Sequence, residues 1–200
     1  MSLSRLTKEI QRAVGSKPDG VYGPNTARAI LAKLELDEPK KEISSFPSQA
    51  QVRGGGTIFG KRGGNLTMIE LPYPMRLSWD TNVTVKRMTV NSACARSLKA
   101  ILEDTLDHYG IDKIRMLGLD LLGGCYNNRR VRGGSMWSIH SWGAALDLDP
   151  ERNTLHMDHR EAEFAKPAYE PFFDIVYKHR WVSLGKEKDY DWMHIQAPRL

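Results

Sequence analysis

The 200-residue chain carries 29 Lys and Arg against 24 Asp and Glu, a net charge of +5, with 40% apolar residues. That length allows one domain, or one domain with a small appendage, and the composition excludes wholesale disorder and fibrous or low-complexity architecture. No apolar run approaches the roughly 20 residues of a membrane-spanning helix, and the moderate positive charge suits a polyanionic partner, or a merely soluble surface, without choosing between them.

Three regions separate along the chain. Residues 1–36 read as a helical unit. Leu6, Ile10, Ala13 and Val14 recur at helical spacing, with Ser4 as a candidate N-cap. Lys17-Pro18-Asp19-Gly20 is a turn, because Pro pre-sets one φ and Gly permits a positive one. A second helix opens near Gly23-Pro24-Asn25-Thr26 and presents Ala27, Ile30, Leu31 and Leu34. Residues 37–65, with two Pro, six Gly and no sustained period, read as a linker. Residues 66–200 hold all six histidines and form the main domain. Thr84–Val90 is a strand. Ser92–Tyr109 is a helix with Leu98, Ile101, Leu102 and Leu106 on one face. Met116–Leu122 reads as a strand running into Gly123-Gly124, and Ala144–Leu148 as another. Pro171–His179 is a helix and Asp191–Gln196 a last strand. The mixed order with few helices predicts an α+β fold. Cys94 and Cys125 have no CxxC neighbour and are expected as two buried free thiols.

The segment Ser138-Ile-His140-Ser-Trp-Gly143-Ala-Ala-Leu-Asp147 carries the chemistry, together with Asp191-Trp-Met-His194, which begins 44 residues after Asp147. Two His and one carboxylate are the donors of a catalytic zinc site, which leaves its fourth position to water. A second carboxylate, Asp191, can take a proton from that water and hand it to a leaving amine. On one straight strand His140 and Asp147, seven apart, would face opposite sides. They converge only if the chain bends between them, and Gly143 is the residue that permits it. By the same reasoning Asp191 belongs at the mouth of the last strand and His194 within it.

The pattern S-x-H-x-x-G-x-A-x-D followed by D-W-x-H resembles the zinc D-alanyl-D-alanine carboxypeptidase and L-alanyl-D-glutamate endopeptidase family, which includes many phage endolysins. The stretches 124–134, 166–176 and 181–196 are also similar to its phage branch. The resemblance implies a small Hedgehog/DD-peptidase-like α+β fold with an antiparallel sheet. It implies one Zn2+ per chain, held by His140, Asp147 and His194, with Asp191 as catalytic base. Many members carry Glu there, and the shorter Asp must stand closer to the metal. The family also uses an arginine for the oxyanion, a role a fixed guanidinium suits. Register with a G-x-Y-N-x-R pattern favours Arg129, with Arg132 second and Arg130 a further candidate. Ser138 either contacts substrate or shapes the turn before His140. The N-terminal unit resembles a shortened helical peptidoglycan-binding domain through Asp19, Gly20, Tyr22, Gly23 and Thr26, which would contact the wall; the alternative is a purely structural helical hairpin.

Together these imply a monomeric peptidase acting on the peptidoglycan stem peptide, with no nucleic-acid partner and no transmembrane segment. The expected bond is L-Ala–D-Glu, with a D-Ala-releasing carboxypeptidase as the alternative and a non-catalytic wall-binding protein with a structural zinc as the second. The first fifteen residues show no apolar stretch of a secretory signal. Synthesis in the host cytoplasm and release to the wall by a holin or by lysis is the matching expectation. Other motifs carry less. His156-Met-Asp-His159 lacks a third ligand, and His108 and His179 end helices, where an imidazolium suits the dipole. Trp137, Trp142 and Trp192 either line a groove or pack the site. Ser183-Leu-Gly-Lys186 matches S-x-x-K without a following K-T-G.

Overall fold

The computed structural model describes residues 2–22, 26, 29, 30, 33 and 45–200. The chain divides into two compact units, Met1–Ser44 and Ser45–Leu200. The expected apolar positions Ala27, Leu31 and Leu34 lie outside the described residues.

In the first unit, α1 spans Leu3–Ala13, and its N-cap is Ser2, whose hydroxyl accepts from the Arg5 amide, two residues before the expected Ser4. The expected apolar stripe is not the buried face. Leu6 is exposed, whereas Thr7 and Gln11 are buried. Gln11 is the reason. Its Nε2 lies 2.7 Å from Asp19 Oδ1 and 3.0 Å from both the Val21 carbonyl and Thr26 Oγ1, while its Oε1 accepts from the Gly20 amide at 2.9 Å. One side-chain amide thus ties the helix to the turn.

The second unit is an α+β domain with a six-stranded, mostly antiparallel sheet in the order β2-β1-β3-β4-β6-β5. The strands are β1 Leu66–Leu77, β2 Asp80–Asn91, β3 Leu121–Gly124, β4 Ala145–Leu148, β5 Val182–Ser183 and β6 His194–Gln196. Only the β1–β3 pair is parallel. Strand β1 was not expected, because it contains Pro72 and Pro74. It tolerates them where its register with β2 shifts between Glu70 and Met75, so the missing amides break no ladder there.

The helices are α2 Gln49–Gly54, α3 Ala95–Leu117, α4 Glu170–Lys178 and α5 Leu184–Lys188. Helix α3 packs on β1 and α4 through Leu98, Ile101 and Leu102, as the periodicity predicts. It outlasts the expected end at Tyr109 because Gly110, at φ 69° and ψ 161°, offsets the axis and lets a second stretch bury Ile114 and Leu117. The strand expected from Met116 therefore starts only at Leu121. Both cysteines are free and buried, as expected.

The linker expected over 37–65 does not extend through 45–65. Phe46, Val52 and Phe59 are core residues. Asn91, fully buried, donates through Nδ2 to the carbonyls of Phe59 and Trp142, both at 2.9 Å, fastening this segment to the sheet. Helix α2 begins with a Ser48–Gln51 capping box. Its Gln49 amide donates to the Arg199 carbonyl at 2.7 Å. Three isolated apolar anchors in a Gly-rich segment leave no period to read. No helix among the described residues is long and apolar enough to cross a membrane.

Candidate metal centre

Two adjacent strands and one tight turn build the site. Asp147 on β4 and His194 on β6 are directly opposed across an antiparallel ladder, so their side chains share a face. His140 lies on a 3-10 turn, Ile139–Trp142, which Ser138 caps by accepting from the His140 amide at 3.4 Å. Gly143 ends that turn in the left-handed region at φ 68°. A Cβ there would stand 2.9 Å from Leu66 Cδ2 and 3.0 Å from the Asn91 amide nitrogen. Gly143 therefore serves two needs, the reversal and the close approach, and the reversal brings His140 onto the Asp147–His194 pair.

The three donors converge. His140 Nε2 lies 3.1 Å from Asp147 Oδ1 and 3.1 Å from His194 Nδ1, and His194 Nδ1 lies 2.9 Å from Asp147 Oδ1. Each imidazole is oriented by its other nitrogen. His140 Nδ1 donates to the Cys125 carbonyl at 2.7 Å. His194 Nε2 donates to Gln196 Oε1 at 3.1 Å, and Gln196 Nε2 donates onward to the Pro198 carbonyl at 2.7 Å. With those protons assigned outward, neutral rings turn two bare lone pairs toward a carboxylate. Such a cluster calls for a cation at its centre. Burial would raise the Asp147 pKa, but the charge and hydrogen bonds of His140 and His194 outweigh it and hold the carboxyl well below the usual range. Burial disfavours the His194 imidazolium, yet its hydrogen bond to Asp147, with the charges of Asp147 and Asp191, raises its pKa on balance. His140, Asp147 and His194 thus form a group able to hold a metal ion.

Asp191 stands just before β6, at the strand mouth as expected. Its backbone adopts the left-handed region at φ 54°, which costs on the order of 1 kcal/mol for a non-glycine residue. Its amide donates to the Leu155 carbonyl at 3.1 Å, and its carbonyl accepts from the His194 amide at 3.0 Å, so the strain is held in place. The residue is 8% exposed, and its Oδ1 is buried with no hydrogen-bond partner among the described residues. Burial raises its pKa, against the opposing charges of His194, His140 and Arg129. An unsatisfied buried carboxylate oxygen beside a group able to hold a metal ion is poised for a proton.

These groups open onto one cleft of about 470 Å3. No family model, curated protein or solved structure matches the chain.

The cleft sorts the remaining candidates. Arg129 and Arg132 line it, whereas Arg130 does not and instead lies with Arg62 over the Trp137 ring. Ser138 lines it too, and its hydroxyl is used in the cap that positions His140. Trp142 and Trp192 are buried packing residues that do not line it. The exposed aromatic on its wall is Trp79, in the β1–β2 turn, with Tyr190 next to Asp191. Neither was anticipated, and an aromatic in a hairpin turn is the signal that marks Trp79. Gln196, Gln49 and Arg53 were likewise unanticipated. Ser183 of the S-x-x-K motif is the N-cap of α5, accepting from the Lys186 amide at 3.3 Å, and Lys186 pairs with Glu170. His159 pairs with Asp189 and His179 with Asp104, so both are structural. In the N-terminal unit Asp19, Gly20 and Thr26 are engaged with Gln11. Tyr22 is exposed, and Gly23 lies outside the described residues.

Proposed function

We propose that this protein is a zinc peptidase that hydrolyses the stem peptide of bacterial peptidoglycan, acting as a monomeric endolysin on the L-Ala–D-Glu bond. The observation that carries the reading is the unpartnered buried Oδ1 of Asp191 beside three converging ligand atoms that face an open cleft. A structural zinc site takes four protein ligands and closes, whereas three ligands with an open side suit catalysis. Two donors about 2.0–2.1 Å from a tetrahedral zinc stand roughly 3.3 Å apart, and the separations of 2.9–3.1 Å are close to that. The donor set therefore fits.

When bound, zinc would supply a Lewis acid that polarises the scissile carbonyl and makes water acidic at neutral pH. The chain's own residues supply the rest. Asp191, with its raised pKa, accepts a proton from the attacking water and returns it to the leaving amine. Arg129, whose charge is felt by Asp191, offers a guanidinium to the oxygen on which negative charge develops, with Arg132 on the same lining. Ser138, Cys125 and Gln196 hold the histidines in orientation. The N-terminal unit would hold the enzyme to the wall, with Tyr22 as its exposed contact.

The test is digestion of purified peptidoglycan with and without a chelator, with the new termini identified by mass spectrometry. Chelator-sensitive L-Ala carboxyl and D-Glu amino ends are expected. Free D-Ala instead would make the protein a carboxypeptidase. Asp191→Ala should abolish hydrolysis with zinc retained. If the native protein binds zinc and cuts nothing, the chain is a wall-binding module.

A further inference from the structure

The cleft wall opposite in charge to the metal ligands contains a guanidinium with no counter-ion among the described residues. Arg53 sits on α2, which is fixed by its capping box, by the fully buried Val52 and by the bond from Gln49 to the Arg199 carbonyl. Its Nε donates to the Trp137 carbonyl at 2.9 Å, and its Nη2 donates to Gln49 Oε1 at 3.1 Å. These bonds fix the plane of the fork, and the first ties it to a residue three before His140. Both acceptors are neutral. Burial lowers the Arg53 pKa, and no carboxylate of the described residues contributes to the shift. The carboxylates lining the cleft, Asp147 and Asp191, belong to the metal centre. A half-buried, pre-oriented guanidinium lacking an acidic partner among the described residues is costly to the fold and suited to an anion supplied from outside. Its planar donors match a carboxylate, and Arg132 adds positive charge to the same cleft.

We propose that Arg53 is a substrate-binding residue that receives a free carboxylate of the peptide held in the cleft. The inference rests on the peptidase reading above and adds to it that the substrate is anionic near the bond that is cut. In a lysine-type stem peptide that carboxylate has two sources, the α-carboxylate of a γ-linked D-Glu or the C-terminal carboxylate of a D-Ala end.

The experiment uses L-Ala-γ-D-Glu-L-Lys-D-Ala-D-Ala in three forms: both carboxylates free, the glutamyl carboxylate amidated, and the C-terminus amidated. Binding is measured by calorimetry on zinc-loaded full-length Asp191→Asn protein, where the peptide stays intact, with and without Arg53→Gln. One amidation should weaken binding about tenfold or more, the range of a charge-assisted pair, and Arg53→Gln should remove the difference between the forms. Which amidation acts identifies the source. If Arg53→Gln fails to fold, Arg53→Lys carries the comparison, keeping the charge, losing the fork and shrinking the discrimination. Equal binding of all three forms, discrimination that survives loss of Arg53, or no binding of any form would overturn the proposal. Cleavage of the free peptide by the native protein is scored separately. Discrimination without cleavage would sink the peptidase reading and leave the carboxylate site standing, whereas cleavage without discrimination would do the reverse.

Discussion

Replacing Gln196 by Leu isolates the contribution of a residue that touches no metal. In the metal-bound state His194 must keep Nδ1 bare, so its proton must sit on Nε2, which Gln196 Oε1 receives at 3.1 Å. Leucine offers no acceptor, so the bound state would bury an unsatisfied N–H at a cost of about 1–3 kcal/mol. The neutral, metal-free ring escapes this cost. There His194 can move its proton to Nδ1 and donate to Asp147 Oδ1, which lies 2.9 Å away. The penalty therefore falls on binding alone and converts, at about 1.4 kcal/mol per decade, to a loss of roughly 5- to 150-fold in zinc affinity. Competition against a chromophoric chelator at neutral pH measures it, with metal-free thermal unfolding to check the fold, since Gln196 also donates to the Pro198 carbonyl. Gln196→Glu restores an acceptor and should bind zinc more tightly than the Leu variant. An affinity for Gln196→Leu within twofold of the native protein would refute the tautomer argument.

Three other perturbations test the frame around the site. The His194 pKa is raised above its ordinary 6.5, so in metal-free protein the bound proton stabilises the fold below that value and the benefit fades as pH rises through the raised pKa. Zinc must displace the same proton, so the gap in melting temperature between zinc-loaded and metal-free protein should widen from pH 5.5 to pH 8, and a flat or narrowing gap would contradict this. Gly143→Ala puts a side chain into a positive-φ turn and against Leu66 and Asn91. It should cost about 2 kcal/mol or more in denaturant unfolding and weaken zinc binding by moving His140; native-like values in both would show the turn to be compliant. Arg76 grips the fully buried Asp120 through Nε at 2.7 Å and Nη2 at 2.8 Å at the start of β3. Since Arg76 is one-third exposed, Asp120→Ala should cost about 2–3 kcal/mol rather than the full value of a buried pair, and a loss under 1 kcal/mol in urea unfolding would show the pair to be solvated.

What the sequence disclosed and what it hid follow from how far apart the cooperating residues lie. His140, Gly143 and Asp147 share one short segment, so the need for a reversal at Gly143 can be argued from strand periodicity before any coordinates exist. The position of Asp191 ahead of His194 follows in the same way. The helix over 92–109 is legible because Leu98, Ile101 and Leu102 repeat on one face. Strand β1 is not, because Pro72 and Pro74 read as breakers unless one knows that the β1–β2 register slips beside them.

The far wall of the cleft lay furthest out of reach. Arg53 meets Trp137 across 84 residues of chain, and the Gly-rich stretch that carries it looks like a tether. Its fixed position comes from Asn91 holding the Phe59 and Trp142 carbonyls and from Ser48 pairing with Arg199. These are single contacts with no periodic signature. A segment of that kind can be ordered entirely by partners elsewhere in the chain, and here the contacts that order it also bring a cation into the cleft. The candidate metal ligands had a local pattern to betray them because a turn and a two-strand ladder suffice to assemble them. A residue placed as Arg53 is needs only one rigid anchor, and that anchor can come from any part of the sequence.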